Sequence, residues 1–325
     1  MAERTNPGRG TSRYSRGPRP GSVPGSCRGG THAGCVAINP DRLMEPGLAS
    51  SRVSVVIPCY EMHGKGAEYL ACALHSIFLQ TWKHVDVVLS DNAQDDSITQ
   101  VVNRWRHLLP IVHIRPGTRR STDTLNAGIR AAAGDIVRIL FQDDLLFGPD
   151  SLGQMMQAFH RGARWCVGRH MHLIDGRLAR PLTPFASTAM AYGVNTIGPP
   201  SVLSFVNATP LLFDEDLVWL MDCEYYLRLL RRYGPPACIK QFNTIVRVGD
   251  HQLTNHLSDQ VRSREVDIVL ASHPEYHRFR ALRIAWARGR RALYRTRACL
   301  PFSDTSAEAR AGTAFVTACS GLPPR

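Results

Sequence analysis

The sequence predicts an α/β fold: a Rossmann-like, mostly parallel sheet, a mixed sheet region beyond it, and helices towards the C-terminus. Three observations lead there. Short apolar runs alternate strictly with amphipathic segments from Val53 to Phe141, polar residues gather just after each run, and beyond Asp150 the pattern changes to paired strands. Strict alternation of strand and helix requires crossover connections, which place helices on both faces of a parallel sheet.

The elements follow in order. Val53-Ser-Val-Val-Ile57, ended by Pro58, reads as a buried strand, and Glu68 to Gln80 reads as a helix with Leu70, Leu74, Ile77 and Phe78 at helical spacing. Next come strand Val85 to Ser90, helix Asp96 to Trp105, strand Ile111 to Ile114, helix Thr122 to Ala133 and strand Ile136 to Phe141. A helix from Ser151 to about His160 precedes two strands between Trp165 and Arg180, turned at Asp175-Gly176. Gly234-Pro235-Pro236 stops a helix of roughly Met221 to Tyr233, and two further helices are expected near Thr254 to Ser272 and Glu275 to Tyr294.

These elements divide the chain. Residues 1–51, rich in Gly, Pro, Ser and Arg, read as a disordered basic tail, because such a composition buries too little apolar surface to offset its ordering entropy. Residues 52–252 form the α/β domain, 253–300 a helical extension, and 301–325 a tail without pattern. The formal charge of +12 suggests a nucleic-acid binder until it is located along the chain. Met1 to Arg52 holds eight arginines against Glu3, Asp41 and Glu45, and Arg278 to Arg297 holds eight arginines and no acid. These two segments account for the whole excess, so the domain between them is close to neutral. That suits a small, metal-complexed anion better than a nucleic acid.

No apolar run approaches the roughly 18 residues of a membrane span, and the chain reads as cytoplasmic. The arginine-rich helix carrying Phe279, Leu282, Trp286 and Leu293 either packs on the domain, the favoured reading, or rests on the inner face of a membrane as a peripheral contact. Nine scattered cysteines without a Cys-x-x-Cys pair indicate reduced thiols rather than a disulfide framework or a zinc site.

In open α/β sheets ligands bind beyond the carboxyl ends of the strands. Strand one here ends in Pro58-Cys-Tyr-Glu61, without the glycine fingerprint of a dinucleotide site, strand two ends in Asp91-Asn92, and strand four in Gln142-Asp143-Asp144. Two carboxylates crowded at a strand end repel one another unless a cation bridges them, and hard divalent ions favour such oxygen ligands. Asp91 either accepts hydrogen bonds from a base or ribose or belongs to an ordinary loop. Asp222, near the start of its helix, is either a general base or a residue matched to the helix dipole. Glu224 and Arg228, four apart, read as a salt bridge. His251 is either a metal or phosphate ligand or structural. His170 and His172 lack a third ligand for zinc.

Taken together, Val55-Val-Ile-Pro-Cys-Tyr60, Leu79-Gln-Thr-Trp82, Leu89-Ser-Asp-Asn92, Asn126-Ala-Gly-Ile129, Ala133-Gly-Asp135, Phe141-Gln-Asp-Asp144 and Asp222 resemble, in order and spacing, glycosyltransferase family 2. The resemblance covers about Val53 to His251. It implies the GT-A fold and a usually inverting transfer of sugar from a nucleotide diphosphate donor to an acceptor hydroxyl, with Mn2+ or Mg2+ as cofactor. By the same resemblance Pro58, Tyr60, Glu61 and Asp91 line the nucleotide pocket, Asn126 and Asp144 serve the donor site, Asp143 and His251 bind the metal, and Asp222 is the base. Phe141 stands where many members carry the first aspartate of the metal motif, and Glu61 replaces a commoner asparagine. The Gln-x-x-Arg-Trp element of processive synthases is absent, which implies single transfers to a glycan, lipid-linked or small-molecule acceptor. A catalytically inactive nucleotide-binding or scaffold protein is the main rival, and a nucleotidyltransferase or a nucleic-acid binder a more distant one.

Overall fold

The computed structural model describes residues 51–118, 120–249, 252, 257–279 and 307–320. Its first half is β1 (Val53–Cys59), α1 (Gly66–Phe78), β2 (Val85–Asp91), α2 (Ser97–Trp105), β3 (Ile111–Ile114), α3 (Ser121–Ala131) and β4 (Ile136–Ile139). Then come β5 (Leu145–Leu146), α4 (Ser151–His160), β6 (Trp165–Ile174), β7 (Arg177–Leu182), β8 (Leu203–Val206), α5 (Met221–Tyr233), β9 (Ala237–Arg247), α6 (Asp259–Ser272) and α7 (Ala307–Cys319). The strands join one sheet in the order β3-β2-β1-β4-β8-β6-β9-β5, with β7 paired to β6. β3, β2, β1 and β4 are mutually parallel, whereas β8 is antiparallel to both β4 and β6, and β9 runs parallel to β6.

Burial explains why these runs are strands. Every residue of β2 and β4 is buried, as a sheet covered on both faces requires. One face packs Val53, Val55 and Ile57 of β1 against α1, α2 and α4. The other packs Val56, Val88 and Val137 against Leu125 and Ile129 of α3 and the apolar side of α5. A third cluster, on the same side as α1, joins Cys72 to Met171 and Leu173 of β6, Ile245 of β9 and Ala309 of α7. The parallel strands therefore end together at one edge of the domain, where β1, β2 and β4 release Tyr60, Asn92 and Leu140.

Several expectations are corrected. The tail expected without pattern contains α7, which packs Ala309 and Gly312 on the third cluster; its small residues form no strong apolar stripe to read in the sequence. The helix expected from Glu275 begins as a 3-10 helix at Pro274–Phe279, and the remainder of it lies outside the described residues. Strand four stops at Ile139, so that Phe141 to Asp144 form a turn before β5. Cys59, Cys72, Cys166, Cys223 and Cys319 are free and buried, but Cys238 stands in a disulfide, which scattered spacing gave no way to foresee. Among the described residues no helix is long and apolar enough to cross a membrane.

Candidate active site

The turn after β4 brings the first candidates together. Gln142, fully buried, accepts a hydrogen bond from the Tyr60 N–H (2.7 Å) and donates to the carbonyls of Tyr60 (2.9 Å) and Gly66 (3.1 Å). That amide clamps the end of β1 to the aspartate turn and makes Tyr60 and Asp143 neighbours. The Tyr60 hydroxyl is held above its usual range by burial and by the nearby carboxylates of Asp143 and Glu61. Glu61 also accepts from the Gln94 N–H (3.2 Å), drawing the β2–α2 loop to the same edge, while Pro58 is only partly buried above β2.

Asp144 is 2% exposed and Asp143 is 9% exposed. The Asp144 carboxylate accepts from the Arg247 N–H (2.8 Å) and from the Ser201 hydroxyl, so it faces inward. Its pKa rises well above the usual carboxylate range, first through burial and then through repulsion by Asp143. Arg247 also donates from Nε to the Asp143 carbonyl (3.1 Å). Below the turn lies Arg138, fully buried, hydrogen-bonded to Ser204 and Thr244 and pulled down to about 10 by desolvation.

The donor set suits a hard cation. It is oxygen-only, and the buried Asp144 is strained by its neighbour's charge, a strain that a divalent ion relieves. Asp143 is the residue that could hold such an ion, with Asp144 behind it. Among the described residues no group of three or more His, Cys, Asp or Glu side chains is placed to hold a metal, so water and donor oxygens would complete the shell. His251 lies outside the described residues. His170 is neutral, pushed down to about 3 by burial and by His172, and packs beneath Gly198.

Asp222 sits in the first turn of α5, part exposed but crowded by protein. Desolvation raises its pKa to about 6 against hydrogen bonds from the Cys223 N–H (2.6 Å) and the Asn195 amide (2.7 Å). Asn195 in turn accepts from the N–H groups of Ile197 and Gly198 and donates to the Gly198 carbonyl, which the Tyr226 hydroxyl also reaches. Six residues on, Ser201 accepts from the Phe141 N–H (2.9 Å) and donates to Asp144. One short segment therefore grips Asp222 at its start and the aspartate turn at its end, so that the two carboxylate sites, far apart in sequence, share one support. The Glu224–Arg228 salt bridge is present (2.6 Å) and extends to His273, fixing α5 against α6.

Two assignments change. Asn126 is fully buried, its amide donating to Phe213 O and Glu215 and accepting from the Phe213 N–H. It staples α3 to the segment before α5 and has no donor atom left for a ligand. Asp91 is 1% exposed and holds the Ala93 N–H (2.8 Å), His113 (3.0 Å) and Arg115 (3.5 Å), which makes it an organiser of the loop rather than an open acceptor. Gln142, Asn195, Ser201, His113 and Arg247 are the residues that sequence reasoning missed. Only Gln142 had a signal, its place between a strand end and the aspartate pair.

A sheet of this order, with carboxylates at the end of β4 and at the start of α5, defines a GT-A type architecture. The chain belongs to glycosyl transferase family 2, whose model matches residues 54–230, more than half of the chain. An uncharacterised glycosyltransferase of Nostoc sp. (strain PCC 7120), alr2836, is 28% identical over 127 residues, which are 38% of this chain and 38% of that protein. The chain thus matches well under half the length of that curated relative. Among solved structures, Staphylococcus aureus TarS has a similar fold at 16% identity and a TM-score of 0.50, over 70% of this chain and 44% of that one. Its 1–349 fragment with UDP-GlcNAc matches at 14% identity and a TM-score of 0.51, over 67% of this chain and 66% of that one.

Proposed function

We propose that this chain is an inverting, non-processive, metal-dependent glycosyltransferase that moves a sugar from a nucleotide diphosphate donor to an acceptor hydroxyl. The observation that carries the reading is the shared support of Asp222 and Asp144 by the segment from Asn195 to Ser201. It supports the reading because a carboxylate base and a cation-holding carboxylate pair would then share one frame, as single displacement requires. In the reaction a bond forms between the acceptor oxygen and the anomeric carbon while the bond from that carbon to the diphosphate oxygen breaks. Asp222 takes the acceptor proton, and a nucleoside diphosphate leaves. Asp143, with Asp144 behind it, would hold a Mn2+ or Mg2+ ion, which would neutralise the charge developing on the diphosphate. Tyr60 and Glu61 frame the donor cleft, and Asp91 stiffens its far wall.

An Asp222 pKa of about 6 fits a base that is ionised at neutral pH yet still basic enough to accept a proton. Family membership and the UDP-GlcNAc bound to the TarS fragment support a nucleotide-sugar donor here. The acceptor is a glycan, a lipid-linked sugar or a small molecule. The test is thermal stabilisation by nucleoside diphosphates and nucleotide sugars, with and without Mn2+ or Mg2+, in the wild type and Asp143→Ala, followed by donor turnover. Metal-dependent stabilisation by one nucleotide, lost in Asp143→Ala, is expected. Nucleotide binding without donor consumption under any acceptor mixture would instead mark an inactive binding protein.

A further inference from the structure

A cavity of about 490 Å³ opens between the loop after β1, the start of α1, the tip of the β6–β7 hairpin and the end of β9. Lys65, His63 and Arg247 line it, with Tyr69 and Leu173 as an apolar wall and Asp175 at the hairpin tip. Among the described residues that line it, none is a candidate donor or base residue. It lies on the α1 side of the sheet, since Leu173 and Ile245 pack with Cys72 of α1 and Arg247 stacks over Tyr69 of α1 at 4.3 Å. Asp222 belongs to α5, which packs on the opposite face.

Two features of the cavity are unfavourable as they stand, and an anion relieves both of them. Lys65 occupies the N-cap of α1, the end of a helix where a cation opposes the dipole, and it pairs with no carboxylate among the described residues. Arg247 uses its backbone N–H and Nε on the aspartate turn, which leaves its two terminal nitrogens without a hydrogen-bond partner among the described residues. Met62 and His63 both take left-handed backbone angles (φ 47° and 52°), followed by Gly64 at 86°. That turn carries His63 and Lys65 at the cavity mouth.

The geometry points to an effector site for a phosphate monoester of a small hydroxylated molecule, the phosphate between Lys65 and Arg247 and the hydroxyls towards Asp175. Charge-assisted bonds from a guanidinium and an ammonium suit a phosphate. The volume falls in the range of small-molecule sites, about 300–1,000 Å³, and exceeds what a bare phosphate fills. Arg247 gives the site a route to the donor side, because the same residue holds both Asp143 and Asp144. The inference stands on the cavity alone and is tested apart from glycosyl transfer.

Calorimetric titration of the full chain with glucose 6-phosphate, inorganic phosphate and glucose reads it directly. Saturable binding of glucose 6-phosphate is expected, tighter than inorganic phosphate, with no binding of glucose. Lys65→Ala, a change at an exposed residue, weakens it by about tenfold or more, the loss of one charge-assisted contact, while Asp222→Asn and Asp143→Ala retain it. Equal binding to wild type and Lys65→Ala overturns the site, as does no heat beyond a chloride control of matched ionic strength. Binding of inorganic phosphate as tight as the ester overturns the ligand class. Displacement by a nucleoside diphosphate that persists in Asp143→Ala assigns the anion to the donor cleft and overturns a separate site. The nucleotide screen on Asp143→Ala keeps its own answer in every case.

Discussion

Asp222 shows how one carboxylate can be poised by two opposing effects. Burial raises its pKa to about 6, and the Asn195 and Cys223 hydrogen bonds keep it from rising further. Because the folded value lies above the ordinary carboxylate value of 3.8, the fold favours the protonated form. The destabilisation is absent below the unfolded pKa, grows as pH rises towards 6 and is full above it. Asp222→Asn should therefore lower kcat by about 10²–10⁴ and, near pH 7.5, raise stability by on the order of 2 kcal/mol, a gain that fades below about pH 4. Denaturant unfolding at both pH values checks the sign. Asn195→Ala removes a donor to the ionised carboxylate, so the acidic limb of the pH–rate profile should move to higher pH while kcat falls. An unmoved limb would reduce Asn195 to a packing role. Asp143, Asp144 and Asp222 could be singled out from sequence because strand ends and helix starts are local features. Asn195, Ser201 and Arg247 could not, because their partners lie 27, 57 and 103 positions away, across folds of chain with no pattern of their own. The structural partner of Asn126, Phe213, is as distant, and is visible only once α3 meets the segment before α5.

At the scale of elements, close approach of backbone and side chain sets the geometry of the cleft. Gly128 lies on α3 where the helix crosses β1, and a Cβ there would come 2.6 Å from Val56 Cγ1. Alanine is worth about 1 kcal/mol over glycine in a helix interior, but overpacking a filled core costs about 1–3 kcal/mol. Val56 is fully buried and β-branched, with little room to turn, so the packing effect wins. Gly128→Ala should lower the urea midpoint without changing the slope of the transition. A raised midpoint would mean that α3 can shift outward. The helices and parallel strands of the first half could be read because apolar spacing reports burial directly. The short β5 and β8 and the order of strands beyond β4 could not, since two to four apolar residues specify no partner and the register between β6 and β9 is interrupted by bulges. The same applies to the Ser187–Ser201 stretch, whose 3-10 helices have no long period to detect.

On the scale of the whole molecule, the candidate donor edge and the third apolar cluster lie at different places on the sheet, joined where Arg247 at the end of β9 meets the aspartate turn. The donor edge is built on β1, β2 and β4, whereas the third cluster spans β5, β6 and β9 and is covered from outside by α7. A Cβ on Gly312 of α7 would meet Leu178 Cδ1 at 2.5 Å and the Phe147 ring at 2.7 Å, so this helix packs close against β7 and the β5–α4 turn. Ala309 is buried in the same cluster, and Cys319 is buried near Cys72 of α1. A chain ending at Ser306 would expose Phe147 and Leu178 and lose the burial of these small side chains, about 2–3 kcal/mol by transfer bookkeeping. For a domain of this size that corresponds to a fall in Tm of roughly 5–10 °C. The truncated chain should bind an apolar dye more strongly than the full chain, yet keep the nucleotide-dependent shift, because among the described residues no hydrogen bond joins α7 to the turn that holds Asp143 and Asp144. Loss of the nucleotide shift along with the Tm would show instead that α7 stabilises the donor edge through α1, whose Cys72 packs near Cys319 and whose first turn abuts Tyr60 through Gly66. Separate responses would establish that the C-terminal helix closes one cluster and leaves the chemistry to the first half of the sheet.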